Sequence, residues 1–295
     1  MRKTLLLCGV LLLAACQSHG RLPPPAALAP LAQDHPDFGM IKDLATGETL
    51  SAEELVDRLA ALPRVLVGER HDNPDHHALQ LWLSRELSAR RPQGSVLMEM
   101  INPDQQSRIE QAQRERRAGR TQADPTESLA WQPGWSWSLY GPLVQHELSQ
   151  PYPLLAANLD RAEILDIYRK RPTLQGSAST ASSVQQRLLA DIRQSHCDML
   201  PESQLPAMLA VQQQRDRRMA EALLVAPQPS LLLAGAFHAR KDLGVPLHLA
   251  DLGASARQAV LILAEAEQPV DARMADYVWY TAAMPQEDLC ASLRR

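Results

Sequence analysis

The stretch VLVGERHDNPDHH, Val65 to His77, decides how this chain reads. Val65-Leu66-Val67-Gly68 is a continuous apolar run of strand length, the kind buried on both faces of a sheet. Glu69 and His71 follow at once, and Asn73-Pro74 then opens a helix with proline in its first position. A buried strand, a polar tip and a helix start within thirteen residues describe a βα unit whose loop carries chemistry.

The same grammar recurs outward from it. Ser51 and Glu54 form a capping box, and Leu55, Leu59 and Leu62 follow at helical spacing until Pro63. Leu79, Leu83 and Leu87 give the helix after Pro74 its apolar stripe. Residues 95–98 read as a strand ending in Glu99, and Asn102-Pro103 opens a polar, Arg-rich helix. Residues 153–157 read as a strand ending in Asn158, with Asp160 and Glu163 capping the next helix. Residues 172–183 read as a mobile loop. Val184, Leu188 and Ile192 lead a helix to His196, and residues 204–225 form the longest helix. Residues 230–235 are another buried strand. Residues 247–250 and 259–263 are further strand candidates, and 275–282 reads as an edge strand. The alternation predicts an α/β fold: a mostly parallel sheet flanked by helices, with a helical insertion in the middle.

Ligands of open α/β sheets sit at the carboxyl ends of the strands. Those ends supply Gly68-Glu69-Arg70-His71, Glu99, Asn158 and Gly235-Ala236-Phe237-His238. Two share the form Gly-x-x-His, in which glycine permits a sharp exit and the histidine swings over the sheet edge. Adjacent strands would bring Glu69, His71, Glu99 and His238 into one cleft. Imidazoles and carboxylates together suit a divalent transition metal. On that reading Glu69 or Glu99 is a general base and the chain a metal-dependent peptidase or esterase. No His-Glu-x-x-His motif accompanies them. Of His76 and His77, one is expected to face solvent. Trp135, Trp137 and Tyr140 cluster in a chain with 4% aromatics and read first as core, and Arg215-Asp216 reads as a surface pair.

The termini and totals set the compartment. Arg2 and Lys3 precede an apolar run too short to span a bilayer, which closes on Leu13-Ala14-Ala15-Cys16. Residues 1–15 read as a lipoprotein signal peptide, with Cys16 as the acylated residue. Each buried CH₂ of the acyl chains contributes about 0.8 kcal/mol to anchoring. Gln17 after the cysteine points to the bacterial outer membrane. Residues 16–38, with Pro23, Pro24, Pro25 and Pro30, read as an extended tether. Residues 39–295 suffice for one domain. The net charge of −4 and the lack of a basic cluster beside aromatics argue against nucleic acid. Cys197 and Cys290 are left to pair or stay free. There is no Cys-x-x-Cys-His, so covalent c-type haem is excluded.

Taken in order, LVGERHDNPDHH, LMEM, WSWSLYGPL, AANLDR, HCDMLP, VQQQRDRRMA and LAGAFHARKDLGVPLHL resemble the ChaN-type haem-binding lipoproteins over nearly the whole mature chain. The resemblance implies a mixed α/β domain related to erythromycin-esterase-like folds. It implies haem binding, a second subunit contributing to the pocket, and a place in haem and iron uptake. The expectations that follow are non-covalent haem b in an apolar pocket, a homodimer, and, since an anchored carrier works next to a transporter, an outer-membrane haem transporter as partner. The strand-end motifs also resemble the TIKI/TraB group, tied to metal-dependent peptidase activity, so binder and enzyme both stay open. For ferric haem outside a reducing compartment a phenolate is a suitable axial ligand. Tyr140 is the first candidate and Tyr168 the second. His71 or His196 would ligate the opposite face or hydrogen-bond the phenolate.

Overall fold

A computed structural model describes residues 22–120, 124–254, 257–286 and 290. Signal peptide, Cys16 and the first residues of the tether lie outside the described residues. In chain order the elements are β1 (Ile41–Asp43), β2 (Thr49–Leu50), α1 (Ala52–Ala60), β3 (Arg64–Glu69), α2 (Pro74–Arg90) and β4 (Ser95–Met98). After a 3₁₀ turn follow α3 (Gln106–Arg117), α4 (Pro125–Ser128), α5 (Trp137–Leu148), β5 (Leu154–Ala156), α6 (Arg161–Lys170), α7 (Ser182–Ser195) and α8 (Leu205–Val225). The chain closes with β6 (Ser230–Gly235), α9 (Ala236–Ala239), α10 (Val245–Asp251), β7 (Gln258–Glu265) and β8 (Tyr277–Thr281).

The strands form one sheet in the order β2-β1-β8-β7-β3-β6-β4-β5. From β8 to β5 every neighbouring pair is parallel, while β1 runs antiparallel to both β8 and β2. The strands are apolar throughout because helices cover both faces. Side chains alternate with period two. Val65 and Val67 face a core made with α1, α2, α3 and α5, while Leu66 faces the other core, made with α8 and α10. α2 leaves β3 on the first face, and α10 follows β6 on the second. Two adjacent strands whose exits diverge to opposite faces leave a crevice between their carboxyl ends, the place where open sheets bind ligands.

Several expectations change here. Residues 247–250 are not a strand: they lie in α10, begun by Pro246 in its first turn. Residues 275–282 hold β8, which is not an edge, because β1 covers its outer side. β1, β2 and α5 are additional elements. The loop 172–183 is tied down by Asp251, which accepts from the backbone N–H groups of Ser177, Ala178 and Ser179. Residues 22–38 of the Pro-rich stretch lie on the body. Their backbone N–H groups, unpaired in an extended chain, find acceptors on α2: Leu28 and Ala29 donate to Asp75, and Leu22 to Glu86.

Cys197 and Cys290 form a disulfide, Cα to Cα 5.7 Å, closing a separation of 93 residues. A bond across that much chain restricts the unfolded state strongly. Cys197→Ser is expected to lower unfolding free energy by about 2–4 kcal/mol in urea titrations. Reductant should do the same to the wild type and nothing to the variant. Equal urea midpoints for variant and oxidised wild type would contradict this.

Candidate functional site

Register brings the strand tips level. Glu69 pairs with Gly235 across β3 and β6, and Glu99 donates its N–H to Leu233 O one strand further. Alternation then sends the carboxylates to opposite faces. Glu69 follows the parity of Val65 and Val67, toward α5. Glu99 follows Leu97, toward α8. The crevice between them holds two polar sets.

On the α5 side, Glu69 Oε1 accepts from the Tyr140 hydroxyl at 3.0 Å and from His71 Nδ1 at 2.6 Å. His71 Nδ1 also lies 3.1 Å from the Tyr140 oxygen. The His77 ring packs edge-on to Tyr140, centroids 4.3 Å apart, and the Trp135 ring edge-on to His71 at 4.9 Å. Tyr140 is 1% exposed. Burial together with the Glu69 charge drives its pKa far upward, so it is a neutral donor. The His71 side chain is 46% exposed, and its Nε2 has no hydrogen-bond partner among the described residues. Burial lowers its pKa, but the Glu69 hydrogen bond and charge outweigh that, and the net direction is upward. Sequence reasoning put Tyr140 first as an iron ligand. The structure seals its hydroxyl beneath the Glu69–His71 pair.

On the α8 side, His238 stands between two buried acids. Its Nδ1 is 2.6 Å from Asp216 Oδ1 and its Nε2 is 3.3 Å from Glu99 Oε1. Glu99 Oε2 also accepts from Gly235 N at 2.7 Å. Burial opposes charge on His238, yet Glu99 and Asp216 raise its pKa to about 10. Burial raises Glu99 too, but His238 pulls it down to about 2, while burial lifts Asp216 to about 6. The arrangement is an imidazolium held by two carboxylates, both of its N–H groups in use.

The glycines of the two Gly-x-x-His motifs have specific work. A Cβ at Gly235 would lie 2.7 Å from His71 Cε1, and one at Gly68 would lie 2.8 Å from Ala236 Cα. Only a missing side chain lets the His71 ring lie on β6 and α9 lie on β3.

Glu69, His71, Glu99 and His238 therefore meet in one place, but as two hydrogen-bonded sets with different jobs. Among the described residues no group of three or more His, Cys, Asp or Glu is arranged to hold a metal ion. Asn158 is a support: its Nδ2 donates to Glu99 O. His76 and His77 are both buried, against the expectation that one faces solvent: His76 Nδ1 accepts from Arg70 N, and His77 Nε2 reaches His71 O. Asp216 is no surface acid but fully buried. Its signal was its spacing, since 216, 219 and 223 share the inner face of α8. His196 caps α7, its Nδ1 2.8 Å from Ile192 O. Tyr168 is half-buried on α6 with no hydrogen-bond partner among the described residues, one turn after the exposed Leu165.

The crevice opens into a cleft of about 760 Å³. His71, Gly235 and His238 form its polar floor, and Leu188, Ile192, Phe237, Leu263 and Val270 are among its apolar walls.

A family model described as "Haem-binding uptake, Tiki superfamily, ChaN" matches residues 55–249. The chain belongs to the ChaN family. ChaN of Campylobacter jejuni, solved with cofacially bound haem, is 30% identical, with a TM-score of 0.75 over 81% of this chain and 95% of that one. A mutant of the erythromycin esterase EreC, solved in its open conformation, is 13% identical and gives a TM-score of 0.43 over 86% of this chain and 85% of that one. No curated protein matches. Within this ChaN-family chain the matched residues run from α1 into α10 and contain both polar sets and α6 to α9.

His238 has a folded pKa raised above its ordinary value of 6.5, so its contribution to stability is complete below pH 6.5 and is lost as pH rises through about 10. His76 and His248 are buried neutral, with pKa values lowered to about 3 and about 4. Unfolding takes up protons there, and stability falls as pH drops from 6.5 toward 4. Urea midpoints measured from pH 4 to 10 should therefore peak near pH 6.5, and the His238 ring signals in NMR should titrate near pH 10. A His238 midpoint at or below 7 would contradict the buried imidazolium.

Proposed function

We propose that this chain binds haem b non-covalently in the strand-end cleft and serves haem uptake as a lipid-anchored protein of the bacterial outer membrane, passing haem to or from a transporter there. The observation that carries it is the cleft. Clefts of several hundred cubic ångströms suit a cofactor of this size, and this one joins apolar walls to an imidazole whose Nε2 faces inward. The residues fit the group. A carboxylate on the far nitrogen is the usual support for an imidazole that meets a metal or an anion. Against burial, the Glu69 hydrogen bond and charge shift His71 toward its charged form, in which Nε2 faces the bound group as a donor rather than as a ligand of iron.

With the Tyr140 hydroxyl buried on Glu69, a phenolate for haem iron would come from another tyrosine. Tyr168 has an uncommitted hydroxyl among the described residues, beside an exposed leucine on the outside of α6. We assign it as the phenolate ligand, presented by a second copy of the chain that closes the open side of the cleft. The cofacial haem of the Campylobacter jejuni relative supports a site open enough for two haems to face each other. Haem, when bound, would supply the iron chemistry; this chain supplies the cleft, its hydrogen-bond donors and its apolar walls.

In a haemin titration of the full-length chain in detergent, the Soret band should saturate at a fixed ratio. Tyr168→Phe should remove the phenolate charge-transfer band and weaken binding about tenfold or more. Tyr140→Phe and His196→Ala should retain the band. A wild type that never saturates would overturn the haem reading, and an unchanged band in Tyr168→Phe would overturn the ligand. Separately, Cys16→Ser should release the protein from the outer-membrane fraction and remove the acyl mass from its N-terminal peptide. Unaltered fractionation with no acyl mass in the wild type would overturn the anchor.

A further inference from the structure

A second cavity, of about 700 Å³, adjoins the haem cleft, and the two share Arg187, Arg240, Pro269, Val270 and Met274 as lining. Among the described residues, the only basic side chains lining both are therefore Arg187, on α7, and Arg240, just after α9. Asp242 holds Arg240 along one edge and Asp191 holds Arg187 at one nitrogen, and both guanidinium groups keep open N–H groups. Arg240 gives Nε and Nη2 to Asp242, at 2.8 and 2.6 Å, and its Nη1 has no hydrogen-bond partner among the described residues. Arg187 gives Nε to Asp191 at 3.0 Å, leaving Nη1 and Nη2 without partners among the described residues. The other arginines differ. Arg70 lines the haem cleft, but all three of its nitrogens are engaged by Asp72 and Glu265. Arg273 lines only the second cavity and is the most exposed of the set.

We propose that Arg187 and Arg240 form a carboxylate clamp at the junction of the two cavities, taking the paired carboxylates of the ligand. The inference rests on the haem reading above, in which those carboxylates are the propionates. Asp242 fixes the Arg240 guanidinium in one plane and Asp191 restrains that of Arg187 at Nε, so less freedom is lost when their open N–H groups meet a carboxylate. They also cancel part of its charge, so the clamp selects by hydrogen-bond geometry rather than by long-range attraction. Hydrophobic Val270 and Met274 between the two cavities lower the local dielectric, which strengthens such contacts. The second cavity gives the carboxylate ends room to extend without distorting the apolar walls that hold the ring.

The test compares haemin with haemin dimethyl ester, which keeps the macrocycle and iron but has no carboxylates. Optical titration of the full-length wild type should show haemin bound at least about tenfold more tightly than the ester. Arg187→Gln, on a side chain 59% exposed and remote from the core, should narrow that preference by severalfold, and Arg187→Gln with Arg240→Gln should abolish it. Affinity for the ester should stay at the wild-type level, which also reports an intact cleft. Arg273→Gln should change neither ligand. Equal wild-type affinity for haemin and ester, or an undiminished preference in Arg187→Gln and the double variant, would overturn the clamp and leave the haem reading standing. Failure of the wild type to bind either compound would overturn both.

Discussion

A carboxylate removed from water must be neutralised and hydrogen-bonded or the fold cannot keep it. Glu99 is 1% exposed at the end of a central strand, and both of its oxygens are satisfied: one by His238, the other by the backbone of Gly235. His238 in turn is fixed by Asp216 from α8. This chain of contacts ties β4, the β6–α9 turn and α8 together at the one level of the sheet where the cleft opens. The geometry of that opening depends on it. Removing His238 would leave two acids facing each other in a dry interior, and the turn that carries Gly235, on which His71 rests, would lose its anchor.

The two polar sets divide the labour. In the Glu99–His238–Asp216 set every N–H of the imidazolium is used, so it is a brace. The Glu69–His71–Tyr140 set leaves two atoms open, the buried Glu69 Oε2 and the His71 Nε2. Tyr140 and Glu69 occupy the inner side of the ring, Trp135 stands against it, and Nε2 is left toward the cleft. One set gives the site its shape and the other gives it a contact. A pair of similar Gly-x-x-His motifs thus serves unlike purposes, because alternation along the strands sends one carboxylate to each face of the sheet.

Much of this was legible in the sequence, and the rest has physical reasons for its absence. The central strands announced themselves as short apolar runs, and their polar tips converge because parallel register makes them level. The capping boxes at Ser51 and Asp160 are present as read. Residues 247–250 misled because a four-residue apolar run has no period, and Pro246 was the cue that settled for helix. β1 and β2, three and two residues long, are too short to show alternation. α5 was masked by Gly141 and Pro142 inside it. The aromatic cluster was visible, but not that Tyr140 would face inward under His71, since burial of a hydroxyl depends on partners far away in sequence. Asp216 could have been caught by its place on the apolar stripe of α8.

The divergence of chain exits after β3 and β6 opens the cleft in which we place haem, with His71 as its inward donor. The most direct measurement is an anomalous iron map from crystals of the chain loaded with haemin. One iron peak per chain is expected over the strand-end cleft, with the porphyrin against the His71 ring. An iron peak elsewhere on the molecule, with the cleft filled only by solvent, would contradict it.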